Sequence, residues 1–244
     1  MQHAIASAAT AAPSSSDLNR PRSALALGVV GALGEELLAA LVGGGRYATV
    51  HVGVDQPIGT AAARFRPWVV GDGVVLADDA YVCITGDETF VPKATPMQRV
   101  ASADVVAAAR TARDCGVSRL VLVSPLPALL QLNAASHTLS SASEVEIAQM
   151  GFKSLLVIRP TADTDAATAA EGWFPGVVRT FTRMVVEIML PQRVQALRAR
   201  TAAAAILTAV DRATPGIHVL GAQELTSIVE ETMPGALPRK VRLR

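Results

Sequence analysis

Two short runs, "LVLVS" at residues 120–124 and "LLVIR" at 155–159, are apolar at nearly every position. A half-exposed strand alternates apolar and polar side chains. A strand apolar on both sides has to be covered on both faces, as in a parallel sheet held between helices. Such runs alternate with longer helix-like ones along the chain. The order is "SALAL", "GEELLAALV", "YATVHVGV", "PWVVG", "DAYVCITG", "PMQRVASADVVAAARTARDCG", "SRLVLVSP", "SASEVEIAQMG" and "KSLLVIRP". A mixed stretch at 172–213, "GIHVLG" and a helical run from Gln223 follow. The expectation is a doubly wound α/β fold with a mostly parallel sheet and a small C-terminal cap region.

Local punctuation agrees. Gly43, Gly116 and Gly151 each follow a helical run where a left-handed cap is needed, and Ser141 with Glu144 forms a capping-box pattern. Between "PWVVGD" and "DDAYVCITG" there is too little chain for a crossover helix, so that connection is short or irregular. At 244 residues, half of them apolar, the chain suits one domain at 23–244 after a flexible tail at 1–22. A net charge of +1 argues against nucleic acid as a partner. No run of about 18 uncharged apolar residues suggests a membrane span. Cys83 and Cys115 form no Cys-x-x-Cys pair, no metal-ligand cluster is visible, and a reducing cytoplasm fits.

Gly28, Gly31 and Gly34 stand between the first strand and the first helix. A phosphate-binding turn needs glycines for tight turning, close backbone approach and helix–strand contact, and the helix start, with Ala32 and Leu33, supplies free N–H groups. Asp55 follows the second strand, 21 residues after Gly34. There a carboxylate can accept from ribose hydroxyls, or simply serve as a turn residue before "QPIG". No arginine or lysine lies between Arg46 and Arg64 to meet a 2′-phosphate, so NAD is favoured over NADP. Asp72, ending the third strand, can reach an adenine amino group or remain a solvated loop aspartate.

Taken together, "LGVVGALGEELLAAL", "DAYVCITGDETF", "SADVVAAARTARDCGVSRLVLVSPLPA", "SEVEIAQMGFKSLLVIRPT" and "PGIHVLG" resemble the atypical short-chain dehydrogenase/reductase superfamily. Within it they resemble the Tat-interacting-protein-like, NAD(P)H-binding branch, related to sugar-nucleotide epimerase-like proteins. The resemblance runs from Ser23 to about Leu225. It implies a Rossmann-type domain with the cofactor turn at Gly28–Gly34, Gly86 beside the cofactor and Pro160 flanking the nicotinamide end.

The family's chemistry rests on a Tyr-x-x-x-Lys pair and a serine at the end of the fifth strand. Here Thr138 and Ala142 occupy the tyrosine and lysine positions. The only tyrosines, Tyr47 and Tyr81, are followed four residues on by His51 and Thr85. Ser124 keeps one serine, followed by Pro125. Ser124, His137 and Thr138 are the candidate catalytic groups, His137 because an imidazole exchanges protons near neutral pH. Arg159 stands at the pocket rim or in an ion pair. The apolar stretch 172–191 can cover a ligand pocket, pack in the core, or form a homodimer or protein-partner surface. Two readings follow. One is a cofactor-binding, sensing or interaction protein without the usual catalytic pair. The other is an oxidoreductase or epimerase-like enzyme acting on a small-molecule ligand with a non-standard proton-transfer group.

Overall fold

The structure, a computed structural model, describes residues 21–59, 62–85, 95–124, 139, 141–160 and 199–232. Strands β1 (Ser23–Leu27), β2 (Thr49–Val54), β3 (Phe65–Val69), β4 (Asp79–Cys83), β5 (Arg119–Val123), β6 (Ser154–Ile158) and β7 (Gly216–Leu220) form one sheet. The order is β3-β2-β1-β4-β5-β6-β7, and every pair is parallel. The helices are α1 (Gly31–Gly43), α2 (Val105–Asp114), α3 (Ala142–Gln149), α4 (Ala199–Arg212) and α5 (Ala222–Thr232).

Uniformly apolar strands are explained by the two helix layers. On β5, Val121 and Val123 join the core under α1, α4 and α5, where Leu37, Leu41, Ile206, Val210, Leu225 and Val229 meet. Leu120 and Leu122 join the opposite core with Val105 and Ala109 of α2 and Ile147 of α3. The period of two is therefore present, but both halves of it are apolar.

The β3–β4 connection carries no helix, as its length requires. Val70, Val75 and Ala77 pack beside Trp68 in the α2–α3 core and cover the sheet in place of a helix. The short β2–β3 connection likewise shows no helix among the described residues. The expected cap at Gly43 is displaced: Gly43 closes α1, Gly44 is right-handed, and the left-handed residue is Gly45 at φ 69°. Gly116 and Gly151, both at φ 76°, stand where expected. Ser141 caps α3 by accepting from the Glu144 N–H at 3.1 Å. The described C-terminal elements α4, β7 and α5 extend the sheet and its first helix layer. Residues 172–191 lie outside the described residues.

A polar knot ties the amino edge of the sheet. Asp79, the first residue of β4, is fully buried. Its Oδ2 accepts from the Tyr47 hydroxyl at 2.5 Å and from Arg22 Nη2 at 2.5 Å, while Arg119 Nε stands 4.0 Å from Oδ1. Arg22, assigned to the tail from sequence, is thus part of the fold. The Tyr47 and Tyr81 hydroxyls are 2.9 Å apart and their rings meet edge to face. One carboxylate so joins the residue before β1, the start of β4 and the start of β5.

Burial raises both phenols, Tyr81 to about 12. A raised folded value means stability present below the ordinary tyrosine pKa near 10 and lost as pH rises through the folded value. Titration of tyrosinate absorbance is expected to show no ionisation of the folded chain near pH 10. Above it, ionisation should coincide with cooperative loss of circular dichroism. A tyrosinate step near 10 with unchanged dichroism would contradict the knot.

Candidate functional site

Because all strands run parallel, their carboxyl ends share one edge. Sequence order reverses between β1 and β4, and in open α/β sheets ligands bind outside the carboxyl ends at such a switch point. There β1 stops at Leu27. Gly28 turns the chain at φ 68°, Gly31 follows at φ 71°, and α1 begins. A Cβ on Gly28 would meet the Cys83 carbonyl oxygen at 2.1 Å. One on Gly34 would meet the Val29 backbone at 2.6 Å. The first and third glycines thus let α1 and the end of β4 close onto the turn, and the second is needed for its left-handed backbone. Val30, extended before the helix, provides no side-chain cap, and the first turn of α1 has no acidic residue. Ala32 is exposed and Leu33 packs on the core. That end of α1 has the N–H groups and the dipole that suit a phosphate.

The strands beside β1 continue past it. Into the space between them comes a segment that the sequence does not reveal as extended. Met97 bridges antiparallel to Val54. The Asp55 N–H donates to the Pro96 carbonyl at 2.9 Å, and the Gln98 N–H donates to the Gly53 carbonyl at 3.0 Å. On the other side the Thr85 N–H donates to the Val100 carbonyl at 2.8 Å. Residues 96–100 therefore cross from β2 to β4 over the end of β1. Val100 is buried with its side chain against Gly28. The helix read from Pro96 starts only at the 3-10 turn Ser102–Asp104 and α2. Pro96, which has no N–H to give a helix, was the available signal.

The other candidates divide. Asp55 is exposed immediately after β2, on the same edge as the glycine turn. Asp72 is exposed too, but its backbone folds back on β3: its N–H donates to the Val69 carbonyl and its carbonyl accepts from Trp68 Nε1 at 3.1 Å. Ser124 follows β5, half-buried, with its N–H on the Ile158 carbonyl. Pro160 is buried after β6. Arg159 before it is buried in an ion pair, its Nη2 donating to both Glu144 oxygens at 2.9 and 2.7 Å. Gly86, His137 and Thr138 lie outside the described residues. The described histidines, His51 on β2 and His218 on β7, sit within their strands rather than at the carboxyl edge. Among the described residues no cluster could hold a metal ion, and no helix is long and apolar enough to cross a membrane.

The strand order, the parallel pairing and the glycine turn decide the architecture. It is a Rossmann-type fold. No protein-family model and no curated protein matches the sequence. Solved structures with a similar fold include an oxidoreductase of the short chain dehydrogenase/reductase family from Burkholderia thailandensis. It is 15% identical, with 87% of this chain and 97% of that one covered and a TM-score of 0.47. The Bordetella bronchiseptica enzyme WbmF in complex with NADH is 13% identical, covering 86% and 76%, with a TM-score of 0.41. WbmG from the same organism, in complex with NAD, is 12% identical, covering 86% and 88%, with a TM-score of 0.38. At these values the similarity bears on neither ligand nor reaction.

The turn's packing is testable with one added methyl. Gly34→Ala drives a Cβ into the Val29 backbone and is expected to cost about 1–3 kcal/mol. Gly43→Ala, with nothing within 4 Å, is expected to stabilise by up to about 1 kcal/mol. Urea denaturation measures both. Equal effects would show that Gly34 is not a contact glycine.

Proposed function

We propose that this chain binds a dinucleotide at the β1/β4 switch point and works as a cofactor-dependent sensing or interaction protein. The glycine turn carries the reading: two left-handed glycines and a third pressed on the turn's own backbone at Val29 open an uncapped helix at the one place where the strand order reverses. On this reading the N–H groups of Gly31, Ala32 and Leu33 hold the pyrophosphate. The Asp55 carboxylate accepts from the adenosine ribose, which favours NAD over NADP. Ser124 and Pro160 flank the far half, whose nicotinamide ring supplies hydride exchange when bound. The turn and Asp55 fit such a group in kind and position. The segment 96–100 stands beside Asp55, in the space that the adenosine half would use.

The sensing role, rather than dehydrogenation of the usual kind, is supported by the fate of the tyrosines. Both are buried at the opposite edge of the sheet and held around Asp79. Lys153, exposed just before β6, is at that edge as well. Without a positioned phenol and ammonium, the usual proton transfer, typically worth about 10²–10⁴ in rate, has no donor among these residues. The alternative is an oxidoreductase or epimerase-like enzyme, for which, among the described candidates, the half-buried Ser124 at the end of β5 is the available polar group. It predicts substrate-dependent absorbance change at the nicotinamide band.

Calorimetric titration with NAD and NADP tests the reading. NAD is expected to bind at least about tenfold more tightly, and Asp55→Asn to weaken NAD by about tenfold while narrowing that difference. No binding of either, or preference for NADP, would overturn it.

A further inference from the structure

We propose that residues 95–99 are an autoinhibitory strap: they occupy the crevice beside Asp55 when no dinucleotide is bound and lift out when one enters. The proposal rests on the dinucleotide reading and adds its regulation.

The seat is defined by backbone groups. β1 pairs with β2 only as far as Ala26 and Val52, which leaves the edge of β2 at Gly53–Asp55 open on the β1 side. In the closed form that edge is satisfied by the strap, through Asp55 N–H to Pro96 and Gln98 N–H to Gly53. A ribose bound to Asp55 lies at this same edge, so strap and adenosine exclude each other. A protein whose binding-competent form is only part of the population shows an affinity reduced by that fraction. Whatever stabilises or releases the strap therefore sets the dinucleotide level to which the chain responds.

The strap is built to be held but not locked. Val100 is buried against Gly28 and anchors one end, while residues 95–98 are only half-buried and Arg99 is exposed. Closure leaves two polar atoms without hydrogen-bond partners, Gln98 Oε1 on the strap and Thr85 Oγ1 beside its anchor. A buried polar atom without a partner is a standing cost of the closed form, relieved when the segment lifts or a ligand supplies the partner. Lifting 95–99 about Val100 frees the Gly53 carbonyl and the Asp55 N–H for a ligand and leaves the glycine turn in place.

The test locks the strap. Val54 and Met97 flank one another as the non-hydrogen-bonded pair of an antiparallel bridge, since both bonds run between their neighbours. Such pairs place Cα atoms about 4.5 Å apart, within disulfide reach. In the full chain carrying Val54→Cys and Met97→Cys, NAD binding followed by calorimetry is expected to fall at least about tenfold on oxidation and to return on reduction. Val54→Cys alone, treated identically, controls for the native thiols Cys83 and Cys115. Gln98→Pro removes the N–H bonded to Gly53 and is expected to tighten NAD binding about fivefold. Equal affinity of the oxidised and reduced forms overturns the strap alone. If the double variant does not fold, unchanged or weaker affinity in Gln98→Pro overturns it. No NAD binding by the wild type, the reduced double variant and Gln98→Pro overturns the dinucleotide reading and the strap with it.

Discussion

Strand β1 ends at Leu27 because Gly28 turns the chain at φ 68° against the Cys83 carbonyl, where no side chain has room. Its neighbours β2 and β4 run on past it. That difference in length creates the crevice, directs the start of α1 into it, and leaves β2 with unpaired backbone groups at Gly53 and Asp55. Buried backbone groups need partners. Here the chain supplies them from residues 96–98, and the proposed ligand would compete for the same groups.

The two edges of the sheet are held by different groups. At the amino edge, Asp79 gathers Arg22, Tyr47 and Arg119 and fixes the starts of β1, β4 and β5 relative to one another. At the carboxyl edge, Gln98 and Thr85 each leave a polar oxygen without a partner, at a typical cost of about 1–3 kcal/mol apiece. Asp79 Oδ1 at the amino edge lacks a hydrogen-bond partner too, so the edges differ in what holds them: side chains from the starts of three strands converge on one carboxylate at the first, and backbone bonds of one short segment close the second. The absence of a tyrosine from the crevice fits this division. Both phenols stand at the amino edge, around Asp79.

The parallel sheet covered on both faces was legible in the sequence because burial on both faces writes a plain signal: "LVLVS" and "LLVIR" leave no polar side to expose. The glycine turn was legible because three positions there tolerate no side chain or need a left-handed backbone. The strap was not, since "PMQRV" joins smoothly onto the helix that follows, and its partners Gly53, Asp55 and Thr85 come from far earlier in the chain or from another strand. Asp79 reads as the first residue of a strand, and its burial follows only once Arg22 and Tyr47 are brought to it. The left-handed residue after α1 moved from Gly43 to Gly45 because three glycines in succession leave the cap position open locally. Arg159 was ambiguous between pocket and ion pair until Glu144 of α3 was placed against it.

The central claim, that a dinucleotide and the chain's own residues 95–99 share one seat, is tested most directly by amide hydrogen exchange of the full chain with and without saturating NAD. The Gln98 amide, bonded to the Gly53 carbonyl in the closed form, is predicted to lose protection when NAD binds, while the amides of β1, β4 and β5 keep theirs. Protection at Gln98 that is unchanged or increased in the NAD-bound chain would contradict the account.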